Sequence, residues 1–243
     1  MSGHSKWHNI QAKKSKTDAA RAKIFTKIGK EMAIAIRDGG PNPNNNSKLR
    51  DLISKAKANN VPNDNIDRII KKATEEKKDY KEITYEGYGP GGVAVIVEAA
   101  TDNTTRTVAN VRAAFSKYHG NIGTQGCVSY MFEEKGLITI EKEECDLEED
   151  ELMELALESG AEDFDAEDDD FYEITTAPDD LTAVQEAIVA KGIKLAEADI
   201  SKIPSTYVDL ESEEDVKFMS LLLDKLDEDD DVQQVYHNWN AAF

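Results

Sequence analysis

Eight cations crowd the first thirty residues: Lys6, Lys13, Lys14, Lys16, Arg21, Lys23, Lys27 and Lys30. They face the single acid Asp18, leaving a local charge of +7. Ammonium and guanidinium groups donate charge-assisted hydrogen bonds to phosphate oxygens, which position a protein on a nucleic-acid backbone without reading its bases. Trp7, between Lys6 and His8, adds an aromatic plane on which a base can stack. These ten residues, Lys6, Trp7, His8, Lys13, Lys14, Lys16, Arg21, Lys23, Lys27 and Lys30, form the candidate nucleic-acid site. The bland counterpart is a solvated helix face with Trp7 folded onto its own domain. A second cationic set, Arg106, Arg112 and Lys117, either prolongs the track or is ordinary surface charge.

The rest of the chain is opposite in sign. The full sequence carries −20, and residues beyond Glu82 alone carry −29. A polyanion suits the basic end, and the acidic bulk would be held away from it, orienting the molecule on its partner. No zinc-finger spacing, basic zipper or aromatic strand signature accompanies the cations, so base-specific recognition does not follow from them.

Catalytic patterns are missing, and no catalytic or metal-binding residue is expected. His4, His8, His119 and His237 are scattered, and no nucleophile elbow or zinc-binding His-Glu helix occurs. The glycine-rich stretch Tyr85–Gly92 lacks the Lys-Ser/Thr ending of a phosphate loop and precedes a strand instead of following one. It reads as a turn. Acidic runs at Glu143–Glu151, Asp165–Asp170 and Asp227–Asp231 lack the spaced ligands and central glycine of a calcium loop and read as solvated faces. Cofactors are accordingly expected to be none. Two cysteines, Cys127 and Cys145, make no disulfide framework and read as buried free thiols, consistent with a cytoplasmic setting. No apolar run approaches the ~20 residues of a membrane span, and no secretory leader is visible, so no membrane partner is expected.

Apolar periodicity orders the remainder. Ile24, Phe25, Ile28, Met32, Ala35 and Ile36 mark one face of a helix from Thr17 to about Asp38. Leu49, Leu52, Ile53 and Ala56 mark a second helix, and Ile66, Ile69, Ile70 and Ala73 a third, with the lysines off the apolar stripes. Beyond Glu82 the period changes. Strands are expected at Val93–Val97 and Cys127–Phe132 around a helix starting at Asn103 or Thr104, then at Leu137–Ile140, near Phe164, at Phe171–Thr175 and at Ile193–Ile200, with helices at Glu149–Leu157 and Leu181–Ala190. A strand at Thr206–Leu210, a helix at Val216–Leu226 and a strand at Val232–Trp239 follow. The fold class is α+β: an N-terminal three-helix domain (1–82), then two ferredoxin-like domains, one (134–202) inserted in the other (83–133 plus 203–243).

The runs SGHSKWHNIQAKKSKTDAARAKIFTKIGKE, NVPNDNIDRIIKKA, YEGYGPGG before VAVIVEA, TDNTTRT and GCVSYMF resemble the YebC/PmpR family, and the likeness extends along the whole chain. That resemblance implies a helical domain followed by two α+β domains. It also implies a transcriptional regulator that binds DNA, or a translation factor like the mitochondrial translational activators, binding ribosomal RNA on the ribosome and relieving stalls at proline-rich stretches. His4 to Lys30 is then the contact segment. A third alternative, independent of the family, is an acidic scaffold for a basic protein.

Overall fold

The computed structural model describes residues 18–59, 61–76 and 79–240, the side chains of 18–21 and 58 excepted. Among them the chain divides into two compact units. One runs to Val128 and regains Leu210–Val235; the other comprises Ser129–Asp209 with the residues from Tyr236 onward.

In the first unit three helices, α1 (Asp18–Gly39), α2 (Ser47–Ala58) and α3 (Asn63–Glu76), bury their apolar stripes against one another. Ile28, Met32, Ala35, Ile36, Leu49, Leu52, Ala56, Val61 and Ile66 make that core. Asn46 joins two of the helices. Its Oδ1 accepts from Leu49 N at 3.0 Å, capping α2, while its Nδ2 donates to the Ala35 and Gly40 carbonyls of the α1 terminus, each at 2.8 Å.

The same unit holds the first sheet. β1 (Lys81–Tyr88) and β2 (Ala94–Thr101) form an antiparallel hairpin in unbroken register from Lys81↔Thr101 to Tyr88↔Ala94. A turn at Pro90–Gly92 closes it, and Gly91 (φ +64°) and Gly92 (φ +78°) supply the left-handed backbone it needs. Helix α4 (Thr104–Lys117), capped by Asn103, leads to the two-residue β3 (Asn121–Ile122) beside β1. Gly87 makes that pairing close: a Cβ there would collide with the Asn121 carbonyl oxygen. Helix α7 (Glu213–Asp227), capped by Ser212, and β8 (Val232–His237) complete the layer. The strand order is β3-β1-β2-β8.

The second unit carries β4 (Phe132–Glu141), α5 (Glu149–Glu158), β5 (Ala161–Asp165), β6 (Phe171–Thr176), α6 (Leu181–Ala190) and β7 (Glu197–Pro204). Its order, β5-β6-β4-β7 with every neighbour pair antiparallel, is the split β-α-β arrangement of a ferredoxin-like sheet. Ile138, Ile140, Tyr172 and Ile174 pack on Leu152, Ala156, Val184 and Ile188 of the two helices. The first sheet has the same spatial order with its chain permuted. β1, the inner strand between β2 and β3, precedes the β2-α4-β3 crossover instead of following it.

Several expected elements change. Tyr85–Tyr88 belongs to β1, so only the end of the glycine-rich stretch is a turn. Cys127–Phe132 is not a strand; Ser129–Met131 coils into a short 3-10 turn before β4 begins. Its β-branched and aromatic content is overridden by Glu86, whose carboxylate accepts from the Gly126 and Val128 amides at 2.7 and 2.9 Å. Thr206–Leu210 shrinks to a single parallel bridge, Val208 with Trp239. The strand expected at Ile193 begins at Glu197, after Gly192 (φ +86°) has turned the chain. Both cysteines are free but half-buried, not buried.

Candidate nucleic-acid interface

Lys6, Trp7, His8, Lys13, Lys14 and Lys16 lie outside the described residues, as does the side chain of Arg21. The described part of the candidate site is therefore the face of α1 carrying Lys23, Lys27 and Lys30, spaced i, i+4, i+7 so that all three project together. They do not simply stand in solvent off the apolar stripe. Each meets the acidic turn Asp227–Asp231 that follows α7.

Lys27 Nζ pairs with Asp227 Oδ1 at 2.8 Å. Lys23 Nζ lies 3.9 Å from the other carboxylate oxygen and 3.5 Å from the Asp227 carbonyl. Lys30 Nζ reaches Asp231 Oδ1 and the Asp230 carbonyl, each at 2.7 Å, and the Ala100 carbonyl at 3.3 Å, so three oxygens take up its three N–H donors. The acidic run expected to be a solvated face is thus in part a cation receptor, and Asp231 is buried.

Asp231 draws in the second cationic set as well. Arg106 donates to its Oδ2 through Nη2 at 2.6 Å and Nε at 3.0 Å, and also holds Asp102 at 3.0 Å. Thr107 and Thr101 add hydroxyl donors at 2.9 and 3.2 Å. Burial by itself would raise the Asp231 pKa, but the hydrogen bonds from Lys30, Arg106 and Thr107 outweigh it and bring the carboxyl down to about 2. Of the three residues in the second set, Arg106 is spoken for. Arg112 and Lys117 are exposed, with Lys117 Nζ 5.1 Å from the Tyr118 ring centroid. The turn, α4 and α1 enclose a cleft of about 670 Å³, lined in part by Lys30, Tyr80, Arg106, Lys117, Asp229 and Asp231.

Sequence reasoning missed Asp227, Asp231, Thr101 and Thr107 as partners of these cations, because nothing local says which of many carboxylates a lysine meets. One signal was available. A run of acids directly after a helix C-terminus opposes the helix dipole and calls for nearby cations.

Among the described residues, no group of His, Cys, Asp and Glu is arranged to hold a metal. Burial, then the charge of Glu86, push the Cys127 thiol up, so it stays protonated and weakly nucleophilic. No described helix is long and apolar enough to cross a membrane.

Two family models cover nearly all of the sequence. Residues 5–76 match the TACO1/YebC protein N-terminal domain, and residues 80–239 match the TACO1/YebC second and third domain. The chain belongs to the TACO1/YebC family. Among its TACO1/YebC relatives is a protein of Lachnoclostridium phytofermentans, 58% identical over 242 residues, with 99% of this chain and 100% of that one covered. Another, from Agathobacter rectalis, is 59% identical over 241 residues, covering 98% and 99%. Both carry the description "Probable transcriptional regulatory protein". A crystal structure of a conserved hypothetical protein from Aquifex aeolicus has the same fold, with a TM-score of 0.85, 43% identity and 94% of each chain covered.

Proposed function

We propose that this TACO1/YebC protein is a DNA-binding transcriptional regulator that acts in the cytoplasm, without cofactor or catalysis, by gripping phosphates through residues 6–30. The observation that carries this reading is the charge of that segment, eight cations against one acid in a chain of net −20. Cations so concentrated gain from release of the counterions condensed on a nucleic acid. The relatives' shared description as probable transcriptional regulatory proteins supports DNA as the target. Lys6, Lys13, Lys14 and Lys16 are the principal contacts in this reading, with Trp7 stacking. We further assign three folding domains, 1–82, 83–133 with 203–243, and 134–202.

The test is affinity for duplex DNA as a function of salt. Each neutralised phosphate adds roughly −0.9 to the slope of log affinity against log salt. Replacing Lys13, Lys14 and Lys16 with Gln lowers affinity for all sequences alike and flattens the slope. A flat slope in the unaltered protein overturns the reading in favour of an acidic scaffold. Crosslinking in intact cells that recovers ribosomal RNA in place of DNA overturns the choice of target.

A further inference from the structure

Building on the nucleic-acid reading above, we propose that the acidic turn Asp227–Asp231 is an internal stand-in for a phosphate backbone, closing the lysine face of α1 until a nucleic acid displaces it. A carboxylate and a phosphate present similar charged oxygens to an ammonium group at similar distance. Lys23, Lys27 and Lys30 meet such oxygens already: the Asp227 carboxylate at 3.9 and 2.8 Å and the Asp231 carboxylate at 2.7 Å. Nucleic acid can use these lysines only by exchange with the turn.

The exposure of the three pairs is graded. The Lys23, Lys27 and Lys30 side chains are 36%, 18% and 12% exposed, and their partners Asp227 and Asp231 are 27% and 4% exposed. Asp231 is further tied by Arg106, Thr101 and Thr107. The outer pairs at Asp227 therefore form the part that opens, and Lys30–Asp231 forms the fixed end. The partly exposed pairs at Asp227 are screened by solvent more than Lys30–Asp231 is, so a polyanion offering several phosphates at once outcompetes them.

The placement of the turn is a second, independent indication. Asp227 is the last residue of α7, and Glu228, Asp229, Asp230 and Asp231 follow it. Negative charge at a helix C-terminus is unfavourable, and a chain that keeps five successive acids there sets local stability against another requirement. Holding the α1 cations is such a requirement.

The experiment uses the full chain and a labelled duplex of about thirty base pairs. Asp227→Asn removes the opening carboxylate, and Glu214→Gln, at the exposed start of α7, makes the same charge change away from the lysines. Asp227→Glu retains the charge. Asp227→Asn should bind roughly three- to tenfold more tightly than the unaltered protein, with a salt slope steeper by about one to two phosphates' worth. Glu214→Gln should shift affinity less than about twofold, and Asp227→Glu should match the unaltered protein. If Asp227→Asn and Glu214→Gln behave alike, or if Asp227→Asn weakens binding, the turn is a structural strut and the inference falls. That result leaves the proposed function standing when the unaltered protein binds DNA with a steep salt slope. If the unaltered protein binds no DNA at low salt, the function itself fails, and the inference with it.

Discussion

Lys30 and Asp231, 201 residues apart in sequence, form a 2.7 Å ion pair in which the lysine side chain is 12% exposed and the aspartate 4%. This pair ties the helical bundle to the end of the first sheet, where Ala100 N also donates to the Asp231 carbonyl at 2.8 Å. Removing one member of a buried, hydrogen-bonded pair costs more than the pair contributes, because the other is left without its counter-charge.

Asp231→Asn should therefore lose about 3 kcal/mol at neutral pH, read as a lower urea midpoint. The gap between variant and unaltered protein should depend on pH. The folded carboxyl titrates at about 2 against an ordinary 3.8, so its stabilisation is complete above pH 4 and disappears as pH falls through 2. A depression of that size corresponds to about 2 kcal/mol. Urea midpoints at pH 7, 4 and 2.5 should show the gap steady between the first two and narrowed at the last; a gap independent of pH would contradict the assigned role.

Glu86 is buried and receives the Gly126 and Val128 amides. Truncating it to Ala strands two backbone donors, each costing roughly 1–3 kcal/mol when left unsatisfied. Glu86→Ala should lower the melting temperature and speed hydrogen exchange at Gly126 and Val128 while leaving amides of the α5 and α6 helices unchanged. Equal acceleration everywhere would mean global destabilisation instead of release of this loop.

Asn46→Ala removes the α2 cap and the two carbonyl contacts to the end of α1 in one step. A cap contributes ~1 kcal/mol and the buried bonds add to it, so a loss of about 2 kcal/mol in chemical denaturation is expected. Asn46→Asp, which keeps the cap acceptor but not the amide donor, should recover part of the loss.

Strand pairing in the second sheet runs from Phe132↔Pro204 inward, two residues beyond each border expected for the inserted domain. A fragment spanning 132–204 should fold alone, with a cooperative thermal transition, and one spanning 134–202 should be less stable. If neither shows cooperative unfolding, the insertion does not make an independent domain.

Helices were legible because their apolar residues recur at a fixed spacing: Ile28, Met32 and Ile36 name their own face. The ferredoxin-like order of the second sheet followed from alternating strand and helix patterns for the same reason. The first sheet was harder. β1 contains Gly87 and five charged or aromatic residues at Lys81, Glu82, Tyr85, Glu86 and Tyr88, which hid its period, although a glycine within a strand can mark close approach of another backbone. Cys127–Phe132 has strand-like residues but is held as a loop by a carboxylate forty residues upstream of Gly126, which no local window contains. The cationic character of residues 23–30 was plain in the sequence, while their counter-ions were not, since pairing across 200 residues is decided by tertiary structure alone.

The distance between Lys30 and its counter-ion has an outcome during synthesis. A nascent chain exposes α1 early but lacks Asp231 until 201 residues after Lys30, and the edge strand β8 comes later still. Throughout that interval the lysine face has no internal acid to rest on. The lysine face is at its most cationic while the chain is still attached to the machinery that makes it, and the arrival of the Asp227–Asp231 turn is the step that neutralises that face.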